Sequence, residues 1–121
     1  MKTIFLDTHI FLCYLTDSEP DRADQLDALL DQAASGEVRL VTSEVVLAEL
    51  VRVLEVVFSL GKQEVASKIQ AILGTPGLSV LSMADLDRVL EVYAGQDLDF
   101  VDALTAGIMD KQGMEWEYFR G

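Results

Sequence analysis

The chain has 121 residues, half of them hydrophobic, with 21 acidic against 9 basic side chains and a formal net charge of −12. This length and apolar content suit one globular domain with its own core and exclude disordered, collagen-like and linker sequences. The charge repels a polyphosphate at long range, which excludes passive coating of nucleic acid and leaves any such role to bound cations or a local basic patch.

Near the start, Lys2 precedes a short apolar run broken at Asp7. The run has neither the length of a membrane span nor the layout of a cleaved leader, so a cytoplasmic protein without a membrane partner is expected. Cys13 and His9 are the sole residues of their kinds, which speaks against disulfide frameworks, Cys/His zinc sites and a Cys–His catalytic pair. Carboxylates are the chemistry that remains.

In chain order, Thr3 to Leu6 predicts a strand buried on both faces, ended by Asp7. Ile10 to Leu15 predicts a short apolar helix, and Ser18-Glu19-Pro20 opens a second one that runs to about Ala34. In that second helix Ala23, Leu26, Leu29 and Leu30 share a face, while Asp24, Asp27 and Asp31 take the solvated side. Val38 to Thr42 predicts a strand, and Ser43 caps a long helix to about Leu60, ended by Gly61. Lys62 to Leu73 gives a helix, Gly74-Thr75-Pro76-Gly77 a turn and Leu78 to Leu81 a strand. Ser82 with Asp85 resembles a capping box for a helix to Tyr93, another helix follows from about Asp97 to Gln112, and Met114 to Phe119 closes as a strand. The alternation predicts right-handed crossovers and a parallel sheet with helices on both faces, whose sites gather at the carboxyl ends of strands.

Three acids stand out. Asp7 follows the first strand, where an aspartate also commonly caps the next helix. Stepping about 100° per residue along the long helix places Glu49 among Val45, Val46, Val53, Val56 and Leu60, so the carboxylate is expected to point into an apolar face. A buried carboxylate stays ionised only with a partner, either a divalent cation or Arg52 in the next turn. Asp102 lies near the start of the last helix, which Asp97 or Asp99 is placed to cap.

Phe5-Leu6-Asp7-Thr8-His9, Thr42-Ser43-Glu44-Val45-Val46-Leu47-Ala48-Glu49-Leu50 and Asp99-Phe100-Val101-Asp102-Ala103-Leu104 resemble, in order and spacing, the three acidic motifs of PIN domains. Within that family the chain is similar to small VapC-type toxins of toxin–antitoxin systems. The resemblance implies a single PIN-like domain over residues 1–121, with a three-layer α/β/α fold around a parallel sheet of about four strands. It implies an endoribonuclease dependent on Mg²⁺ or Mn²⁺, with Asp7, Glu49 and Asp102 matching the catalytic, metal-binding acids and Thr8 the hydroxyl beside the first of them. Asp99 is a minor auxiliary candidate whose simpler role is capping. The implied partners are RNA, a cognate antitoxin and a second copy of the chain as a homodimer. RNA guidance falls to sparse cations such as Lys2, Arg22, Arg39, Lys62, Lys68 and Lys111, and His9 stays outside the core set.

Family members usually carry a fourth acid just past the fourth strand. Trp116, Tyr118, Phe119 and Arg120 look like that strand, so the acid is expected beyond Gly121, the C-terminal end reads as truncated, and activity of this form is expected to be reduced. Asp110 lies too far along the last helix to replace it. The alternative in the same fold is a catalytically impaired PIN-like protein that acts through protein binding. A phosphoacceptor receiver would need an acid pair after the first strand and an aspartate ending the third, and a haloacid-dehalogenase-type phosphatase two aspartates separated by one residue. Asp7-Thr8-His9 and Leu78-Ser79-Val80-Leu81-Ser82 supply neither pattern.

Overall fold

Short branched-apolar runs separated by capped helical segments produce a regular alternation of elements. In a computed structural model, residues 1–117 are described. They form β1 (Lys2–Phe5), α1 (Thr8–Thr16), α2 (Pro20–Ala34), β2 (Val38–Ser43), α3 (Glu44–Val56), α4 (Lys62–Leu73), β3 (Leu78–Leu81), α5 (Leu86–Gly95) and α6 (Phe100–Gln112). The protein is α/β, with six helices and one parallel sheet of three strands among the described residues. It divides into two compact units, Met1–Leu81 and a second beginning at Ser82.

In the first unit the strand order is β1-β2-β3, with Phe5 beside Val41 and Ser43 beside Leu81. All three carboxyl ends therefore emerge at one end of the sheet. In this strand order, right-handed crossovers carry α1–α2 and α3–α4 to the same face of the sheet. The packing of α1 on both α2 and α3, of α2 on β2 and of α4 on β3 agrees. Leu40 and Thr42 of β2 are fully buried, whereas β1 was expected to be buried on both faces and is not: Lys2, Thr3 and Phe5 are exposed. Among the described residues β1 is a four-residue edge strand, paired on one side with β2.

α2 follows its pattern, with Ala23 and Leu26 buried and Asp24, Asp27 and Asp31 exposed. α3 ends earlier than its apolar run. Beyond Val56 the turn widens: the Val57 and Phe58 amides both donate to the Val53 carbonyl, at 2.8 and 3.3 Å, and Ser59 takes a positive φ of 55°. Gly61 then begins α4 as its N-cap instead of ending α3.

The second unit packs α5 on α6 through Val89, Leu90, Tyr93, Phe100, Ala103 and Leu104, with the Tyr93 and Phe100 rings edge to face at a centroid distance of 5.6 Å. Asp85, not Ser82, caps α5, and its carboxylate accepts from the Arg88 amide. Gly113, at φ 70°, ends α6. Met114 to Glu117 form no strand, and Tyr118 and Phe119 lie outside the described residues. The Trp116 indole N–H instead donates back to Asp110 Oδ1 at 3.1 Å.

Among the glycines of the first unit, Gly77 lies closest to another element. It sits at φ +79°, and a Cβ there would lie 2.6 Å from Ala33 Cβ and 2.8 Å from the Ala33 carbonyl oxygen. Gly36, at φ +82°, has open space around it. Gly77→Ala is expected to lose about 2–4 kcal/mol in denaturant unfolding, from backbone strain plus overpacking. Gly36→Ala, with strain alone, loses about 1–2 kcal/mol; equal losses would remove the packing argument at Gly77.

Candidate functional site

Two hydrogen bonds fix the chain where it leaves β1. The Leu6 amide donates to the Val41 carbonyl at 2.8 Å, and the fully buried Thr42 hydroxyl donates to the Leu6 carbonyl at 2.8 Å. Asp7 follows in extended backbone, at φ −97° and ψ 174°, as the N-cap of α1. Its Oδ1 accepts from the His9 amide at 3.1 Å, and the side chain stays exposed. Capping thus orients the carboxylate without burying it. Thr8, the first residue of α1, is buried beside it.

Glu49 lies elsewhere than its periodicity indicates. The inward face of α3 is Val46, Leu47, Leu50, Val51 and Leu54. Glu49 is exposed, in company with Val45 and Val56, which are 70% and 69% exposed. The helix is apolar around most of its circumference, so the pattern does not tell the core stripe from the outer one. No ion pair joins Glu49 to Arg52 among the described residues. α3 starts directly from the carboxyl end of β2, with Ser43 Oγ accepting from the Val46 amide at 3.4 Å, and it packs against α1.

In the second unit, Asp99 caps α6, its Oδ1 accepting from the Val101 amide at 2.7 Å. Asp102 is half-buried in the first turn of the same helix, where an acid also suits the helix dipole. Asp110 is exposed, as expected of an acid near the helix end.

The single histidine and single cysteine, against which the sequence alone argues as a metal or catalytic pair, meet a carboxylate in the structure. His9 Nε2 lies 2.9 Å from Glu19 Oε2, the Cys13 thiol donates to the same oxygen at 3.1 Å, and Cys13 Sγ is 3.5 Å from His9 Nε2. Burial and the facing Glu19 carboxylate push the Cys13 thiol above its usual range. The thiol hydrogen bond, with His9 and Arg22 nearby, draws Glu19 below the usual carboxylate range. The available signal was the spacing of His9 and Cys13, four residues apart and so on one helix face. Glu19, the N-cap residue of the next helix, was not placed near them by any pattern.

Residues 4–116 match the PIN domain, and the chain belongs to that family. No curated relative matches it. Membership suggests a nuclease: PIN domains are generally metal-dependent nucleases that act on RNA. The exposed carboxylates of Asp7 and Glu49 are hard oxygen donors, which fits a Mg²⁺-class ion. No helix among the described residues is long and apolar enough to cross a membrane.

The Thr42 bond generates a direct test. Thr42→Val keeps the shape but leaves the Leu6 carbonyl without this donor, and is expected to lose about 1–3 kcal/mol in denaturant unfolding. A variant as stable as the parent would show that the bond does not hold the end of β1.

Proposed function

We propose that the chain is a VapC-type endoribonuclease in which Asp7, Glu49 and Asp102 hold Mg²⁺ or Mn²⁺, with the Thr8 hydroxyl beside the first acid and Asp99 serving as the cap of α6. The observation that carries this reading is the family match over residues 4–116 together with an exposed, oriented carboxylate at the carboxyl end of β1. Glu49 is supported by its outward placement on α3, and Asp102 enters by its motif and its position in the first turn of α6. The reading treats residues 1–121 as one functional domain.

When bound, the ion lowers the pKa of a water and offsets phosphate charge. The chain's own residues supply the rest. Capping gives one carboxylate oxygen of Asp7 a fixed partner, the His9 amide, before any ion binds. The hydrogen bond commits Oδ1 and leaves Oδ2 open to a ligand. With water as the nucleophile, no protein nucleophile is required, consistent with a chain whose one cysteine is buried. A local cation also explains how a protein of charge −12 approaches a polyanion.

The partners follow from surface chemistry as well as family. Val45, Val56, Val57 and Phe58 are exposed apolar side chains at the two ends of α3, the kind of surface that supports a homodimer or antitoxin contact. The same residues favour the second reading, a PIN-like protein that works through protein binding without cleaving RNA. Such a toxin would act in the cytoplasm, where RNA and antitoxin meet.

RNA digestion separates the two. Cleavage is expected with Mg²⁺ or Mn²⁺ and to stop on chelation, while Asp7→Asn, Glu49→Gln and Asp102→Asn each slow it by about a hundredfold or more, or about 2.7 kcal/mol of barrier. Cleavage untouched by Asp7→Asn would contradict the proposed mechanism. No cleavage, alongside a stable protein complex lost on Val45→Asp, would favour the binding reading.

A further inference from the structure

The His9, Cys13 and Glu19 cluster joins two elements. His9 and Cys13 face the same side of α1, and Glu19 reaches them from the start of α2 across the Asp17 turn, where φ is 57°. Glu19 occupies an N-cap position yet makes no capping hydrogen bond, because its carboxylate is turned to the imidazole and the thiol. One ligand atom from each residue lies within 4.8 Å of the other two.

We propose that His9 Nε2, Cys13 Sγ and Glu19 Oε2 form a cation site separate from the carboxylate acids, taking a thiophilic divalent ion of the Zn²⁺ class. The donor set decides the class. Thiolate and imidazole favour Zn²⁺, Co²⁺ or Cd²⁺, whereas Mg²⁺ requires oxygen and holds its waters. With bond lengths of about 2.0–2.3 Å, tetrahedral ligands stand about 3.3–3.7 Å apart. The separations here are 2.9, 3.1 and 3.5 Å, so the triangle opens by a few tenths of an ångström to admit the ion. His9 and Glu19 are free to make that adjustment, with side chains 61% and 47% exposed, while buried Cys13 anchors the inner side. Three protein ligands leave a fourth position for water on the open side. On binding, the S–H bond breaks, the sulfur–metal bond forms and the proton leaves to solvent, replacing the present thiol-to-carboxylate hydrogen bond. The ion staples α1 to the N-cap of α2.

Cobalt titration of the full chain in excess Mg²⁺ tests the site apart from nuclease activity. Because Cys13 is the one cysteine of the chain, any thiolate-to-cobalt absorption band reports on it. The expected result is a band that saturates at one equivalent of Co²⁺, disappears in Cys13→Ser, and requires at least about tenfold more Co²⁺ in His9→Gln and in Glu19→Gln. Zn²⁺ is expected to raise the melting temperature of the parent and not of His9→Gln. Glu49→Gln and Asp102→Asn leave the band in place, so its presence is independent of whether the proposed nuclease centre is correct. Absence of the band, or equal affinity in the parent and both exposed-residue variants, overturns the proposal. His9→Gln and Glu19→Gln decide the matter even if Cys13→Ser fails to fold.

Discussion

The pairing of β1 with β2 at their carboxyl ends is the constraint on which the rest of the first unit depends. The Leu6 amide bonded to Val41 and the Thr42 hydroxyl bonded to the Leu6 carbonyl hold both sides of one peptide-bearing residue. With that residue fixed, the next one is fixed too. Asp7 caps α1, α1 packs on α3, and the acid ends up exposed at the end of a strand whose body is thinly covered. A buried hydroxyl with its partner 36 residues away in sequence thus helps to position an exposed carboxylate, through the peptide that joins Leu6 to Asp7.

Where a residue's role is set by local backbone chemistry, the sequence reads well. Asp7 and Asp99 cap their helices, Ser43 caps α3, and α4 and β3 have the bounds their patterns indicate. Where the role depends on which side of an element meets the core, it reads poorly. Glu49 sits within an apolar run, yet it faces outward with Val45 and Val56, because the stripe of α3 that packs inward is Val46, Leu47, Leu50, Val51 and Leu54. β1 is apolar like a central strand, but the sheet leaves it with a single paired neighbour among the described residues. α3 stops at Val56 although the apolar run goes on, since the widened turn at Val53 and the positive φ of Ser59 redirect the chain.

The candidate chemistry divides in the same way. The acids of the family motifs are short strings at characteristic places, so Asp7, Glu49 and Asp102 enter as candidates from the sequence, and the structure adds that the first two are exposed and the third lies half-buried in the first turn of α6. The His9, Cys13 and Glu19 cluster does not enter that way, because its third member comes from a different helix and arrives by a turn that no periodicity describes. A solitary cysteine and a solitary histidine look inert when counted; they acquire meaning once the fold brings a carboxylate within hydrogen-bonding distance of both. The proposed oxygen-only site and the mixed sulfur, nitrogen and oxygen set would sort different ions.

The central claim is that the motif acids share one divalent ion. Paramagnetic Mn²⁺ tests it most directly, since the ion broadens the NMR signals of nuclei close to it. The account predicts that about one equivalent of Mn²⁺ broadens the amide resonances around Asp7, Glu49 and Asp102 together, and that Asp7→Asn weakens all three effects in parallel. Broadening confined to one of these segments, or titrating separately at each, would contradict it.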